Sequence, residues 1–179
     1  MTIMDRVGTL GPDDLRQLFL FDALDDEKLG WLAEHGWVAE QSTGEQVFTE
    51  GEPAEAFVIL LSGTVALSRK VGSDDVETMR TDQVGVYMGA VQAYLRGRVD
   101  QRYLQSCRVV SDARFFVLQS EDFDVAVRTW FPMAIHLLEG LFQGLNRSQQ
   151  IVAQRQQLLA LGALAAGCLL YTSPSPRDS

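Results

Sequence analysis

The sequence predicts a mainly β fold, a sandwich or barrel, with helices before and after it. Between Trp37 and Gln119, short apolar runs are interrupted by glycines at intervals of about 7 to 13 residues, which is typical of all-β domains. These glycines are Gly44, Gly51, Gly63, Gly72 and Gly85. Before Gly36 and after Pro132, apolar residues instead recur with the spacing of helices.

Two short helices are expected within residues 1–36. Asp13 or Asp14 is the expected N-terminal cap of the first helix, because a side-chain oxygen there accepts a hydrogen bond from the free amides of the first turn. The second helix is expected to begin at Asp25 and to end at Gly36, since glycine commonly follows the last helical residue.

The β region is expected to span residues 37–128. Its last two strands are predicted at Gln105–Val110 and Arg114–Gln119. The stretch Phe115–Leu118 is apolar without interruption, whereas a strand with one face in water alternates apolar and polar residues. We therefore expect this last strand to be buried on both faces.

A long helix is expected over residues 129–167. Apolar residues recur along it every seven positions, as in coiled coils, at Leu138, Leu145, Val152 and Leu159. This stripe predicts a homodimer. The positions where a strong zipper would place further leucines hold Ser148, Arg155 and Gly162. The dimer is therefore expected to be modest or to depend on neighbouring contacts.

The last residues, 168–179, differ in character from the helix before them. They read CLLYTSPSPRDS, a string with proline and serine in which the amphipathic pattern has ended. We expect this string to be a non-native tail and exclude it from the reasoning on the fold. The natural protein is expected to continue beyond Gly167.

The charge and hydropathy of the chain argue against two classes of partner. The formal net charge is -9, with an isoelectric point near 4.6, and an acidic surface repels the phosphates of nucleic acids. The longest apolar run, Leu158–Tyr171, is shorter than the roughly 20 residues of a membrane-spanning helix. Met1–Leu10 lacks the apolar core of a signal peptide. Neither nucleic acid nor membrane is an expected partner.

The residues that carry most enzyme chemistry are sparse. The chain has two cysteines without a CxxC pair and two histidines without an HxH pair, so neither a disulfide framework nor a metal site is expected. This cysteine usage is typical of the cytoplasm. Neither a phosphate-binding P-loop nor a G-x-S-x-G nucleophile motif occurs. We expect no catalytic residues, and no enzyme activity, in this stretch.

The stretch from Glu50 to Leu67 reads EGEPAEAFVILLSGTVAL. It resembles the cyclic-nucleotide-binding domain family, which shows G-E, a gap, an aromatic residue, three aliphatic residues and then G-x-V-x-L. The resemblance covers about Leu15 to Phe142, and it implies an antiparallel β jelly roll with a sensory, regulatory role. Gly51 and Gly63 are expected to form tight turns between its strands.

Members of this family hold their ligand in a phosphate-binding cassette: an F-G-E-like turn, a short helix and an R-x-A-[ST]-like stretch. The matching segment here begins YMGAVQAYL. Gly89 matches the family glycine, and Ala90 stands at the position of the glutamate that holds the ribose. Tyr103 falls on the arginine position, Arg102 lies one residue earlier, and Ser106 matches the Ser/Thr.

The resemblance therefore implies Gly89, Ala90, Arg102 and Ser106 as candidate ligand-binding residues. The expected class of ligand is a cyclic nucleotide or another small anion, without any further cofactor. Because the glutamate and the arginine are replaced, binding of cyclic AMP and cyclic GMP is expected to be weak or absent. In the alternative interpretation, Arg102 is a solvated loop charge and Gly89 is a plain turn glycine.

A second resemblance concerns residues 155–167, which read RQQLLALGALAAG. The stretch resembles the run into the dimerisation and phosphoacceptor helix of sensor histidine kinases. It implies that the jelly roll passes a signal through the long helix to a kinase core. The alternatives are a transcription regulator of the catabolite-activator type, a nucleotide-independent interaction module, and, for these residues alone, an ordinary Ala/Leu-rich helix end.

Overall fold

The structure is a computed structural model that describes residues 4–72, 74–93 and 100–130, together with Ala134, Leu137, Leu138, Gly140 and Leu141. The chain divides into two compact units, Met1–Gly140 and Leu141–Ser179. All described residues except Leu141 belong to the first unit. No helix among the described residues is long and apolar enough to cross a membrane.

Two helices, α1 (Pro12–Arg16) and α2 (Asp26–His35), precede the strands as expected. Asp25 caps α2 by accepting the amide of Lys28 at 3.0 Å, which confirms the predicted start. The prediction for α1 is wrong, because its N-cap is Gly11. Asp14 lies inside the first turn and reaches back, accepting the amide of Gly11 at 3.3 Å.

The strands of the described residues form one antiparallel sheet that folds over on itself. They are β1 (Trp37–Gln41), β2 (Gln46–Phe48), β3 (Ala56–Val71), β4 (Asp74–Thr81), β5 (Tyr87–Gly89) and β6 (Ser106–Gln119). The main path runs β1-β6-β3-β4, while β2 also pairs with β6 and β5 with β3. This arrangement, with a third helix α3 (Ser120–Thr129), confirms the expected antiparallel β jelly roll with flanking helices.

The region of the two predicted strands Gln105–Val110 and Arg114–Gln119 is one continuous strand, β6, so that prediction is wrong. The chain stays in the sheet there, and its register against β3 shifts three times between Leu60 and Val65. Gly63 lies at these shifts, with φ 91°, inside β3 and not between two strands as expected. Such bulges increase local twist and bend the strand.

The apolar stretch of β6 is buried on both faces, as predicted. Phe115 to Leu118 are each at most 1% exposed. On one side, Phe115 and Val117 belong to the core between the strands. On the other side, Phe116 meets Phe21 edge-on, with ring centroids 6.0 Å apart, so the N-terminal segment covers this face.

The residues after α3 are described only in part. Trp130 leaves the helical conformation, with φ -113° and ψ 89°. Ala134, Leu137, Leu138, Gly140 and Leu141 are helical. The remainder of the helix predicted over residues 129–167, and the tail 168–179, lie outside the described residues.

Candidate ligand-binding site

The first candidate residues, Gly89 and Ala90, lie where β5 ends against the start of β3. Gly89 has φ 92°, and a Cβ there would lie 2.4 Å from the carbonyl oxygen of Ala56. The amide of Ala90 donates to that same carbonyl at 2.8 Å, and Ala90 is 2% exposed. The amide of Ala90, a candidate ligand-binding residue, is thus bonded to the chain itself.

Tyr103 fills the position of the family arginine with an aromatic ring. The ring stacks on Phe48, with centroids 4.5 Å apart and planes inclined by 17°. Its hydroxyl oxygen accepts the amide of Ala56 at 3.2 Å, and only 2% of the residue is exposed. Burial raises the pKa of this hydroxyl, which therefore stays neutral near pH 7. The site holds a neutral phenol in place of a cation.

The backbone fixes Tyr103 in this place. Its amide donates to the carbonyl of Glu52 at 2.9 Å, and its carbonyl accepts the amide of Gly51 at 2.9 Å. These two bonds fix the main chain of Tyr103, and the stack on Phe48 and the bond from the amide of Ala56 fix its side chain. Ala56 therefore connects the two halves of the site, with its amide on Tyr103 and its carbonyl on Ala90.

The interior around these residues is apolar. Ala90 and Tyr103 belong to one buried cluster with Phe48, Ala54, Leu67 and Met88. Among the described residues, no charged side chain is buried; the buried polar ones are Thr78, Ser106 and Ser120. Burial raises the pKa of the Cys107 thiol, which belongs to the same cluster, to about 12. Such an environment disfavours a charged ligand.

Arg102 lies beside Tyr103 in sequence but points to the surface. Its side chain is 54% exposed, and its Nε atom lies 2.7 Å from a carboxylate oxygen of Asp100. One guanidinium nitrogen also donates to the carbonyl of Gly51 at 2.7 Å. These contacts use two of the five N–H donors of the guanidinium and hold it at the surface.

Ser106 begins β6. It pairs with Ser68 near one end of β3, whereas Gly89 pairs with Phe57 near the other. Its hydroxyl oxygen accepts the amide of Glu50 at 2.9 Å. It lines a polar groove of about 410 Å³ together with Lys70 and Arg108, among others. The structure thus holds Ser106 at Glu50 and Arg102 at the adjacent Gly51, while Cys107, which follows Ser106, places its sulfur 3.6 Å from that of Met88, which precedes Gly89.

Two further residues of this region, Phe48 and Ala56, were not among the candidates predicted from the sequence. Phe48 packs against the phenol, and Ala56 provides both backbone groups that it and Ala90 use. The aromatic residue at the arginine position could have indicated apolar neighbours such as Phe48, because a buried ring packs against apolar side chains. Among the described residues, no group of three side chains could hold a metal ion.

Comparisons with known proteins agree with this fold. Residues 40–129, half of the chain, match the family model described as "Cyclic nucleotide-binding domain". No curated protein matches the chain. The chain is also similar to many solved structures, three of which illustrate the range.

The sensor domain of the transcriptional regulator DNR from Pseudomonas aeruginosa is 22% identical, with a TM-score of 0.61; the match covers 74% of this chain and 91% of that one. The regulatory domain of Toxoplasma gondii PKA, solved with cAMP, is 14% identical, with a TM-score of 0.60 and coverages of 69% and 46%. The regulatory subunit of a cAMP-independent protein kinase A from Trypanosoma brucei is 20% identical, with a TM-score of 0.59 and coverages of 72% and 44%.

The match therefore spans less than half of the two kinase regulatory chains, and at these identities the three structures speak for the fold alone. The family model covers the end of β1, all of β2 to β6 and α3, and this range includes the cassette position. The chain belongs to the cyclic nucleotide-binding domain family.

Proposed function

We propose that this chain is a regulatory input domain whose jelly roll does not respond to cyclic AMP or cyclic GMP. The observation that carries this proposal is Tyr103. Its ring, 2% exposed, occupies the position of the family arginine and stacks on Phe48. The input is then a different small ligand or a partner protein.

The energetics of the cassette support this proposal. A hydrogen bond to a charged group contributes about 1.5–3 kcal/mol. A ligand here would lack the glutamate at Ala90 and the arginine at Tyr103, and it would have to displace Ala56 from the amide of Ala90. Since about 1.4 kcal/mol corresponds to tenfold in affinity, losing both partners weakens binding by roughly a hundredfold or more.

Isothermal titration with cyclic AMP and cyclic GMP tests the proposal. We expect no heat, or a dissociation constant weaker than about 1 mM, which corresponds to only about 4 kcal/mol of binding free energy. A dissociation constant near a micromolar would contradict it. In that case Arg102→Ala should abolish binding if the implied site is used. Arg114→Ala is the matched control, because Arg114 is equally exposed, at 53%, and pairs with Glu40.

For the output, we propose a histidine kinase core that follows the long helix in a cytoplasmic protein. Residues 155–167 support it, because they resemble the run into the phosphoacceptor helix of sensor kinases. A ligand or partner at the jelly roll would act by favouring one position of the helix over another. The gene sequence after the codon for Gly167 tests this directly: a phosphoacceptor histidine segment is expected.

A transcription regulator is the second candidate output. The similarity to the sensor domain of the regulator DNR favours it, since that match covers 91% of the DNR domain. A helix-turn-helix after Gly167 would replace the kinase proposal by this one.

The third candidate is an interaction module without a nucleotide ligand. The apolar interior around Tyr103 favours it.

We also propose that the chain forms a homodimer through the long helix. The exposures of two adjacent leucines support an apolar stripe on the helix that faces away from the jelly roll. Leu137 is 1% exposed, whereas Leu138, the first residue of the seven-residue repeat, is 56% exposed. The other residues of the repeat lie outside the described residues.

The double substitution Leu145→Glu with Val152→Glu is expected to convert the dimer to monomers. It would place carboxylates in the apolar seam, and burying unpaired charge is strongly unfavourable. Sedimentation velocity at tens of micromolar measures the result. Gln150→Glu with Gln157→Glu adds the same charges off the seam, with the same spacing, and should leave the dimer intact. An unmodified protein that is already monomeric would contradict the proposal.

A further inference from the structure

We propose that Tyr87, Leu137 and Gly140 form a latch that positions the start of the C-terminal helix on β5. The latch joins the strand that carries the cassette position to the helix that leaves the domain. Its existence is independent of the proposed function. Its consequence for signalling rests on the proposed function, namely on the helix carrying the output.

The hydrogen bond of the latch connects distant parts of the chain. The hydroxyl of Tyr87, on β5, donates to the main-chain carbonyl of Leu137 at 2.8 Å. A carbonyl oxygen has two lone pairs, so it can accept this bond as well as a helical one. Leu137 is 1% exposed, and its side chain thus anchors the same turn in the domain.

Gly140 allows the phenol to approach the helix. A Cβ at this position would lie 1.8 Å from the Tyr87 hydroxyl oxygen and 2.6 Å from the carbon that bears it. Every residue other than glycine would therefore push the phenol away. Glycine is a poor helix former, so its presence in a helix indicates a packing reason. The contact with Tyr87 supplies that reason.

The latch is connected to the cassette position through β5. Tyr87 pairs with Ile59 of β3, and Gly89, two residues on, pairs with Phe57. The ring of Phe57 lies 5.8 Å from that of Tyr87 and stacks on Phe123 of α3 at 3.9 Å. A ligand that takes the Ala90 amide must break its bond to the Ala56 carbonyl and thereby disturb β5. Because Tyr87 belongs to the same short strand as Gly89, a displacement of β5 also moves Tyr87.

Hydrogen exchange of residues 134–140 in the full chain tests the latch. With the latch, Tyr87→Phe loses one hydrogen bond and should speed exchange in this segment about fivefold. Gly140→Ala should speed it by tenfold or more, because the methyl group displaces the phenol. Without the latch, Gly140→Ala would slow exchange, because alanine favours helix over glycine. Gly140→Ala therefore speeds exchange in residues 134–140 if the latch exists and slows it if the latch does not exist.

Gly30→Ala is the matched control, since Gly30 lies in α2 and a Cβ there meets nothing within 4 Å. It should leave exchange in residues 134–140 unchanged. Exchange that stays within twofold of the unmodified chain in Tyr87→Phe, or that slows in Gly140→Ala, would overturn the latch. Global unfolding is recognised separately, because it would also speed exchange in β3 and β6.

The consequence for signalling is measured on the full-length protein, as autophosphorylation with labelled ATP. Altered exchange together with altered phosphorylation supports both the latch and the proposed output. Altered exchange with unchanged phosphorylation supports the latch and contradicts the proposed role of the helix in signalling. Unchanged exchange overturns the latch, whatever the output does.

Discussion

Replacing Gly63 by alanine is expected to unfold the domain or to destabilise it by about 4 kcal/mol or more. Gly63 has φ 91°, and an added Cβ would lie 2.3 Å from the carbonyl oxygen of Asp112 and 2.6 Å from the Cα of Ala113. Both atoms belong to the backbone of β6, so no flexible side chain can move aside. Strands β3 and β6 would have to separate, and domains of this kind have only about 5–15 kcal/mol of stability.

Urea unfolding followed by tryptophan fluorescence measures the loss, and circular dichroism shows whether any sheet remains. Gly44→Ala is the matched control, because Gly44 has nearly the same φ, 90°, but nothing within 4 Å of an added Cβ. It should cost only about 1–2 kcal/mol, the strain of a left-handed backbone. Equal losses in both variants would mean that the contact with β6 is not the cause.

The same glycine explains where reasoning from the sequence succeeded and where it failed. Apolar runs divided by glycines predicted the antiparallel β fold, because that pattern reflects burial and chain reversal. The pattern did not distinguish a turn from a bulge, since glycine serves both wherever φ is positive. The sequence therefore predicted a turn at Gly63. The division of β6 into two strands has another cause, because residues 105–119 contain no glycine. The register between two long strands depends on the residues of both strands. The pattern of residues within one strand therefore does not predict it.

For the candidate site as well, part was predictable from the sequence and part was not. The residue types at the matched positions were enough to predict that the family's glutamate carboxylate is missing at Ala90 and that its arginine guanidinium is missing at Tyr103. The contacts were not predictable, because they join residues far apart in sequence: Ala90 and Tyr103 both meet Ala56, and Arg102 reaches Gly51. Adjacent residues such as Arg102 and Tyr103 also point to opposite sides of an extended chain. Without that geometry, the sequence left two alternatives open for Arg102, a ligand contact or a solvated loop charge.

Restoring the family arginine by Tyr103→Arg is expected to destabilise the domain by about 3–5 kcal/mol, the usual cost of an unpaired buried charge. Tyr103 is 2% exposed, and the two acidic residues whose charges act on it, Glu52 and Glu55, are themselves exposed, so a guanidinium here would lose its water without gaining a buried partner. The substitution also removes the stack on Phe48 and the acceptor of the Ala56 amide. Urea unfolding measures the loss.

Leu104→Arg is the matched control, because it adds the same side chain at the neighbouring residue, which is 46% exposed. Its effect should stay within about 0.5 kcal/mol, as for most surface substitutions. Tyr103→Arg should also fail to confer binding of cyclic AMP, because Ala90 still lacks the carboxylate and its amide is held by Ala56. A Tyr103→Arg variant that is as stable as the unmodified chain and binds cyclic AMP would mean that the interior is an open pocket. Tyr103 alone would then account for the lack of nucleotide binding in the unmodified chain, and the missing carboxylate at Ala90 and its bond to Ala56 would not be what closes the site.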